Sequence, residues 1–351
     1  MSHELGSEHT APTAARVTPA RLVRAGLVAL PVVLLVVAVL ALPRFADPFH
    51  LALVTRGMVW AMFGLAVWFP LRSLGLPSFG HAAFFGVAAY AAGLAVTRWQ
   101  VDNVFVGFAL AIVVSCAVAV PIAAIAGRMG SVSFLLVSLA FAEMLHSLAL
   151  RWREVGGSDG LVGVIRPHAW PLSMGLSRPE NYFYFASAVA GVALLVVVLV
   201  TRSPFGGVLV GIRESEARMR ALGYNPVTYR FAALLVSAGI AGAAGATNAY
   251  LNRFVNPEDL GALVSARGLL IAVLAGGAVL GPVLVGIGLT VLEDLLSSYT
   301  AHWLALLGAV YVAVAVLATD RARVFALVAR LRGAGRHDAA TLPAEPVEEV
   351  R

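Results

Sequence analysis

The chain has 351 residues, 60% of them hydrophobic and only 13% charged, with a mean hydropathy of +0.87. A soluble domain carries about 25% charged residues, so this composition excludes an ordinary water-soluble fold and leaves most of the surface to lipid. The 25 basic residues are all Arg and give a net charge of +6, but they sit in short loops and tails between apolar runs, which is the pattern of positive cytoplasmic segments and not of a nucleic-acid binder.

Residues 1–21 form a polar tail, which reads as cytoplasmic because Arg16, Arg21 and Arg24 precede or open the first apolar run, about 22–42. That run contains Pro31 and no small-x-small site closes it, so it reads as a signal anchor and not as a cleaved signal peptide. Further spans are expected at about 51–71, 78–97, 104–126 and 132–150, the second of these rich in Gly and Ala. A longer polar loop, 151–180, leads to a span at about 182–201. A polar island at 203–226 precedes the span at about 229–251. After Asn252–Ala266 the chain is apolar again to about 318.

Parity decides how that last stretch divides. The tail 321–351 carries Arg321, Arg323, Arg330, Arg332 and Arg336, so it belongs with the basic N-terminal tail on the cytoplasmic side. An even number of crossings is then required. Gly276-Gly277-Ala278-Val279-Leu280-Gly281-Pro282 disfavours a continuous helix. The break separates a short eighth span, about 264–276, from a ninth at about 282–297, and a tenth follows at about 302–318. The expected fold is an all-α integral membrane protein of about ten transmembrane helices, some short or Gly-broken, with both termini cytoplasmic. Its polytopic membrane domain covers 22–320, and the tail 321–351, with Pro343 and Pro346, reads as partly disordered. The island falls inside and the 151–180 loop outside, although Arg151, Arg153, Arg166 and Arg178 in that loop run against the positive-inside trend.

Three features bound the chemistry. No Lys is present, so no phosphate-binding Walker A loop exists in this sequence, and any ATP that drives it is hydrolysed by another subunit. The single Cys, Cys116, permits no disulfide framework and no Cys-based metal site. Short, Gly-interrupted spans such as the third and eighth are tolerated in lipid only where protein or a water-filled cavity covers their backbone, and they point to a translocation path. Ala238, Gly242 and Ala246 form a small-residue stripe for close helix packing, within the chain or between subunits.

The island is too amphipathic for a plain loop and too charged to span lipid. Read as a helix, it places Arg213, Glu216, Arg220 and Asn225 partly on one side and Ile212, Met219 and Leu222 on another, with Glu214 and Arg218 spaced to pair. Such an element lying on the cytoplasmic surface suits docking by an external motor; the plain alternative is a solvated loop.

Four stretches resemble the branched-chain amino-acid ABC transporter permeases of the LivM type. They are Ser73–Tyr90 (SLGLPSFGHAAFFGVAAY), Gly156–Leu161 (GGSDGL), Ile212–Asn225 (IRESEARMRALGYN), and Leu274–Pro282 (LAGGAVLGP) followed by Leu292–Trp303 (LEDLLSSYTAHW). The likeness runs over roughly residues 50–318. The chain departs from it at Pro70-Leu71-Arg72, where the family has a Gly-Tyr-x-Gly, and at Ala278-Val279-Leu280, which replaces small residues. The resemblance implies one permease of a bacterial inner-membrane importer, with no catalytic centre, no metal and no cofactor of its own. Its implied partners are a second, LivH-like permease, two cytosolic ATPase subunits and an extracytoplasmic substrate-binding protein, in a lipid bilayer and without nucleic acid. By this likeness Arg213, Glu214, Ser215, Glu216, Arg218, Ala221 and Gly223 would couple to the ATPase.

Polar groups inside spans are costly and draw attention. Ser78, His81, Glu143, His146 and Asn248 are candidates for the translocation path, and Arg151, Arg153, Arg166 and Arg253 for docking of the binding protein. Both sets have a bland reading as interhelical hydrogen bonds or solvated surface. Glu143 and His146, i and i+3 on one helix, also suit a proton relay, which keeps a proton-coupled secondary transporter as a rival. As half of an intramembrane metal site they lack further ligands. The cargo stays open among branched-chain amino acids, other amino acids, urea and short amides.

Overall fold

The computed structural model describes residues 39, 41–169 and 175–299, and beyond these 302, 305, 306, 308, 309 and 312. The expected tails 1–21 and 321–351, most of the first span and most of the tenth lie outside the described residues. The chain divides after Asp47 into two units, and Pro48–Arg351 carries all that follows; in the first unit residues 41–45 are helical.

Every regular element among the described residues is helical. The helices are α1 (Pro48–Leu74), α2 (His81–Thr97), α3 (Val104–Ala126), α4 (Ser131–Arg151), α5 (Pro179–Arg202), α6 (Pro204–Glu214), α7 (Glu216–Ala221), α8 (Pro226–Asn252), α9 (Ala262–Leu274) and α10 (Gly281–Tyr299). Six of them, α1, α3, α4, α5, α8 and α10, are long and apolar enough to cross a membrane.

Local chemistry sets many boundaries. Asn103 accepts from Phe105 N at 2.9 Å to start α3. Ser203 before Pro204, Asn225 before Pro226 and Asn256 before Pro257 each cap a helical segment whose first residue has no N–H to satisfy. Between α9 and α10 the chain turns through Gly276, φ +62°, where the sequence placed its Gly-Pro break.

Helix α8 is the axis of the bundle and packs on α1, α2 and α3. Lipid supplies no hydrophobic drive between helices, so small residues that admit close backbone contact take that role. A Cβ on Gly245 would stand 2.0 Å from Phe85 O, and one on Gly242 would stand 2.8 Å from Ser115 Cβ. Ala238 and Ala246 are fully buried beside them. The small-residue stripe is therefore an intrachain contact with α2 and α3.

The bundle has two distinct ends. At one, Arg213 donates to Arg72 O (2.6 Å), Ser131 Oγ to Gly75 O (3.0 Å) and Arg230 to Gly127 O (3.1 Å), which gathers the polar island with the ends of α1 and α3 and the starts of α4 and α8. At the other, Val104 N donates to His168 O (3.0 Å), and Arg166 reaches the last carbonyls of α8. The island and the loop after α4 thus lie at opposite ends, as span parity required.

Candidate functional site

Helices α2 and α9 have 17 and 13 residues. At 1.5 Å per residue they measure about 26 and 20 Å, less than the roughly 30 Å of a bilayer's hydrocarbon core. Both begin inside the bundle, and their N-termini meet there. The segment 75–80 leads from the island end to His81, and 253–261 leads from the loop end to Ala262. Ala82 N donates to Ser265 Oγ at 3.0 Å, and Ser265 Oγ donates to Phe79 O. The irregular backbone between is satisfied by other hydroxyls: Ser138 Oγ accepts from Phe79 N (3.0 Å) and Ser78 Oγ from Gly80 N (3.1 Å). Non-helical backbone at this depth is stable only when its polar groups are met in this way.

His81 belongs to this junction. It is fully buried, with Nε2 2.7 Å from Ser237 Oγ, and Ser237 Oγ gives its one proton to Ala66 O at 2.6 Å. The hydroxyl must therefore accept from the imidazole, which fixes the proton on Nε2 and leaves Nδ1 as the bare nitrogen. His81 and Ser237 thus hold α1, α2 and α8 together around the break, while Ser78 shapes the turn before α2 through Gly80 N.

Glu143, His146 and Asn248 gather around the second break. Glu143 Oε1 accepts from Ala262 N at 3.0 Å and caps α9, where a carboxylate also meets the positive end of the helix dipole. Glu143 Oε2 lies 3.5 Å from His146 Nδ1, and His146 Nε2 lies 3.6 Å from Glu258 Oε1. On the other side of the segment, Asn248 donates to Asp259 Oδ2 (3.2 Å) and accepts from Asn252 (3.0 Å). The Glu143 side chain remains 45% exposed. The structure therefore brings Glu143, His146 and Asn248 to one segment, 256–262, and sets Ser78 and His81 apart, with the first turn of α9 between the groups.

Helix α9 is fixed laterally by Arg267, which lies 3.8 Å over the Trp60 ring and 2.6 Å from Glu293 Oε2 of α10. Glu293 thus serves the packing of α9 and α10.

The polar island departs from its expected single helix. The chain extends at Ser215 (φ −158°, ψ 99°), which ends α6 and caps α7 by accepting from Arg218 N at 3.3 Å. The break rotates Glu214 away from Arg218, and no ion pair joins them among the described residues. The pair that forms is Glu216–Arg220 at 2.6 Å, and Glu216 also receives Arg230 of α8 at 2.9 Å. Burial acts to raise the Glu216 carboxyl, but the hydrogen bonds and charges of Arg220 and Arg230 outweigh it and hold it below the usual carboxylate range. A carboxyl held down in this way stabilises the fold above its unfolded pKa and loses that contribution as pH falls through the folded value. The clamp is therefore intact at neutral pH.

Arg213 is turned to the Arg72 carbonyl, and Met219 is buried against Gly211. The island presents outward Arg213, Glu214, Ala217, Arg218, Arg220, Ala221, Leu222 (66% exposed), Gly223, Tyr224 (39% exposed) and Asn225. Gly223, at φ +88°, lets the chain reverse here, which a side chain would disfavour.

At the loop end Arg151, Arg153 and Arg253 are exposed. Arg166 is built into the fold. It donates to Tyr250 O (2.9 Å), Leu251 O (3.1 Å) and Leu176 O (3.3 Å), and stacks 4.1 Å over the Tyr182 ring. Replacing Arg166 with Gln leaves the C-terminal carbonyls of α8 unmet and should cost about 2 kcal/mol, measurable as a lowered midpoint in detergent denaturation. Unchanged stability would show these bonds to be incidental.

Sequence reasoning missed Ser138, Ser237 and Ser265 at the junction, Glu258 and Asp259 at the second break, and exposed Leu222 and Tyr224 on the island. The isolated serines in apolar runs were a readable signal; their partners, far away in sequence, were not.

Residues 49–318 match the family described as "Branched-chain amino acid transport system / permease component". The chain is 28% identical over 302 residues to the high-affinity branched-chain amino acid transport system permease protein LivM of Salmonella typhimurium, with 80% of this chain and 71% of that protein covered. It is 27% identical over 308 residues to LivM of Escherichia coli K12, with the same shares covered. No solved structure matches it. With its membrane-length helices in a bundle interrupted by two half-helices, the chain is a multi-pass membrane protein and belongs to the branched-chain amino acid transport system permease family.

Proposed function

We propose that this chain is one permease of a bacterial inner-membrane ABC importer and passes branched-chain amino acids handed to it by a binding protein. Separate ATPase subunits consume the ATP, and a second permease completes the path. The carrying observation is the course of α8. One end is clamped to the island through Arg230 and Glu216, its middle meets the α2 break through Ser237 and His81, and its far end meets the α9 break through Asn248 and Asp259. A rigid helix joined to all three sites suits a device in which movement of the island is transmitted to the half-helices.

In this reading the exposed surface of Arg213, Glu214, Arg218, Ala221, Leu222, Gly223 and Tyr224 receives an ATPase, with Ser215 and Glu216 shaping it from behind. Glu143, His146 and Asn248 border the path at the α9 break, and Ser78 and His81 anchor the α2 break. Arg151, Arg153 and Arg253 face the binding protein, whereas Arg166 supports them from inside. The path needs no tight site for a zwitterion, since selection rests with the binding protein.

The line Glu143–His146–Glu258 favours one rival, proton-coupled transport, and family likeness leaves urea or amides as alternative cargo. Reconstitution with the neighbouring ATPase, permease and binding-protein gene products separates these. Uptake of labelled leucine that requires ATP and binding protein, and persists with a protonophore, supports the proposal. Uptake of urea instead keeps the mechanism and changes the cargo. Uptake that needs no ATPase and collapses with the protonophore contradicts the importer reading.

A further inference from the structure

At the island end a cavity of about 330 Å³ opens between the end of α3, the start of α4 and the α6–α7 break. Arg128, Arg213, Arg220 and Arg230 line it together with one carboxylate, Glu216, so four cations face one anion. Glu216 is already shared by Arg220 and Arg230, and among the described residues Arg213 bonds only the Arg72 carbonyl. Arg128 has no carboxylate partner among the described residues. Arg230 is 9% exposed, and its Nε–H finds no acceptor among those residues. The cavity also takes in Gly130 and Ser131, where α4 starts without a side-chain cap. Uncapped N–H groups at the positive end of a 21-residue helix add to the same field.

We propose that this cup binds a phosphate-bearing anion. Several guanidinium forks around one space match an oxyanion with several oxygens, and a bound anion removes the charge excess the cup otherwise holds. The same chemistry comes from an anionic lipid headgroup or from free phosphate. The helix that opens at the cup continues with exposed Val132 (73%) and Leu136 (58%), an apolar surface on which acyl chains can lie. The cup stands on its own geometry and does not depend on the import reading.

The test uses the full chain in a non-ionic detergent, with its thermal unfolding midpoint followed against inorganic phosphate, short-chain phosphatidylglycerol or an oligoglutamate peptide. Phosphatidylglycerol should raise the midpoint. Arg128→Gln should raise the half-saturating concentration about fivefold, the share of one guanidinium near an anionic headgroup, and Arg128→Glu should abolish the response. The Arg128 side chain is exposed and makes no hydrogen bond or ion pair among the described residues, so both variants should match the parent without ligand. A response to phosphatidylglycerol alone assigns the site to lipid; a response to inorganic phosphate as well assigns it to phosphate from solution. No response to either phosphate probe, an equal response in the Arg128 variants, or a response only to oligoglutamate overturns the proposal.

Discussion

Leu222→Asp should abolish ATP-driven uptake in the reconstituted transporter while leaving the permease folded. Leu222 is 66% exposed on the turn after α7, so its removal leaves no cavity. If the ATPase docks here, Leu222 and Tyr224 are the apolar anchors of a contact that also takes in the exposed charges of Arg218 and Glu214. A buried carboxylate at such an anchor costs roughly 2–4 kcal/mol, which weakens docking on the order of 100-fold. The check is ATP-dependent leucine uptake beside co-purification of the ATPase with the permease. Uptake near the parent's rate would mean that the motor seats elsewhere. Because Glu216 is clamped inside by Arg220 and Arg230, reversing Glu216 and Arg213 would disturb the island's shape as well as its surface. Leu222 is the cleaner probe.

Gly245→Val should cause a large loss of stability. A Cβ there would stand 2.0 Å from Phe85 O and 3.2 Å from Ala89 N, both backbone atoms of α2 that cannot rotate away. The helices would have to part, which would also strain the His81–Ser237–Ala66 chain about two turns away along α8. The expected cost is about 4 kcal/mol or more, in the range reserved for overpacked cores. Detergent denaturation and the yield of monodisperse protein report it. Gly191 serves as the contrast: a Cβ there meets nothing within 4 Å, so Gly191→Ala should leave stability unchanged or slightly raised. If Gly245→Val were as stable as the parent, the α2–α8 contact would not be the axis of the bundle.

Much of this architecture was readable from residues. Runs such as Val104–Ala126 and 182–200 are almost wholly apolar, and lipid permits few other conformations for them. The break before Gly281 was legible because Gly and Pro announce it. Parity of basic segments placed the island and the 151–180 loop at opposite ends, where the structure has them. The α2 boundary was less legible: Ser78 looks like the start of a span, but it belongs to the extended segment, and the helix begins at His81. The break at Ser215 was hidden because Glu-Ser-Glu-Ala-Arg is a good helical sequence. Only the cap to Arg218 and the pull of Arg230 on Glu216 divide it. The inward turn of Arg166 depends on carbonyls 84 and 85 residues away, and local pattern holds no trace of such a partner. The gathering of Glu143, His146 and Glu258 was half visible, since the first two share a helix face, while Glu258 arrives by the fold alone.

The central claim is that an ATPase drives this permease through the surface around Leu222. It is tested most directly by a single reporter thiol. Cys116 is the only native cysteine, so Cys116→Ala provides a thiol-free background for Leu222→Cys, with Val162→Cys at the opposite end as control. In membranes holding the assembled transporter, Leu222→Cys should cross-link to the ATPase subunit in a nucleotide-dependent manner, and Val162→Cys should not. Cross-linking of the ATPase at Val162→Cys, or none at Leu222→Cys in a transporter that still moves leucine, would contradict the account.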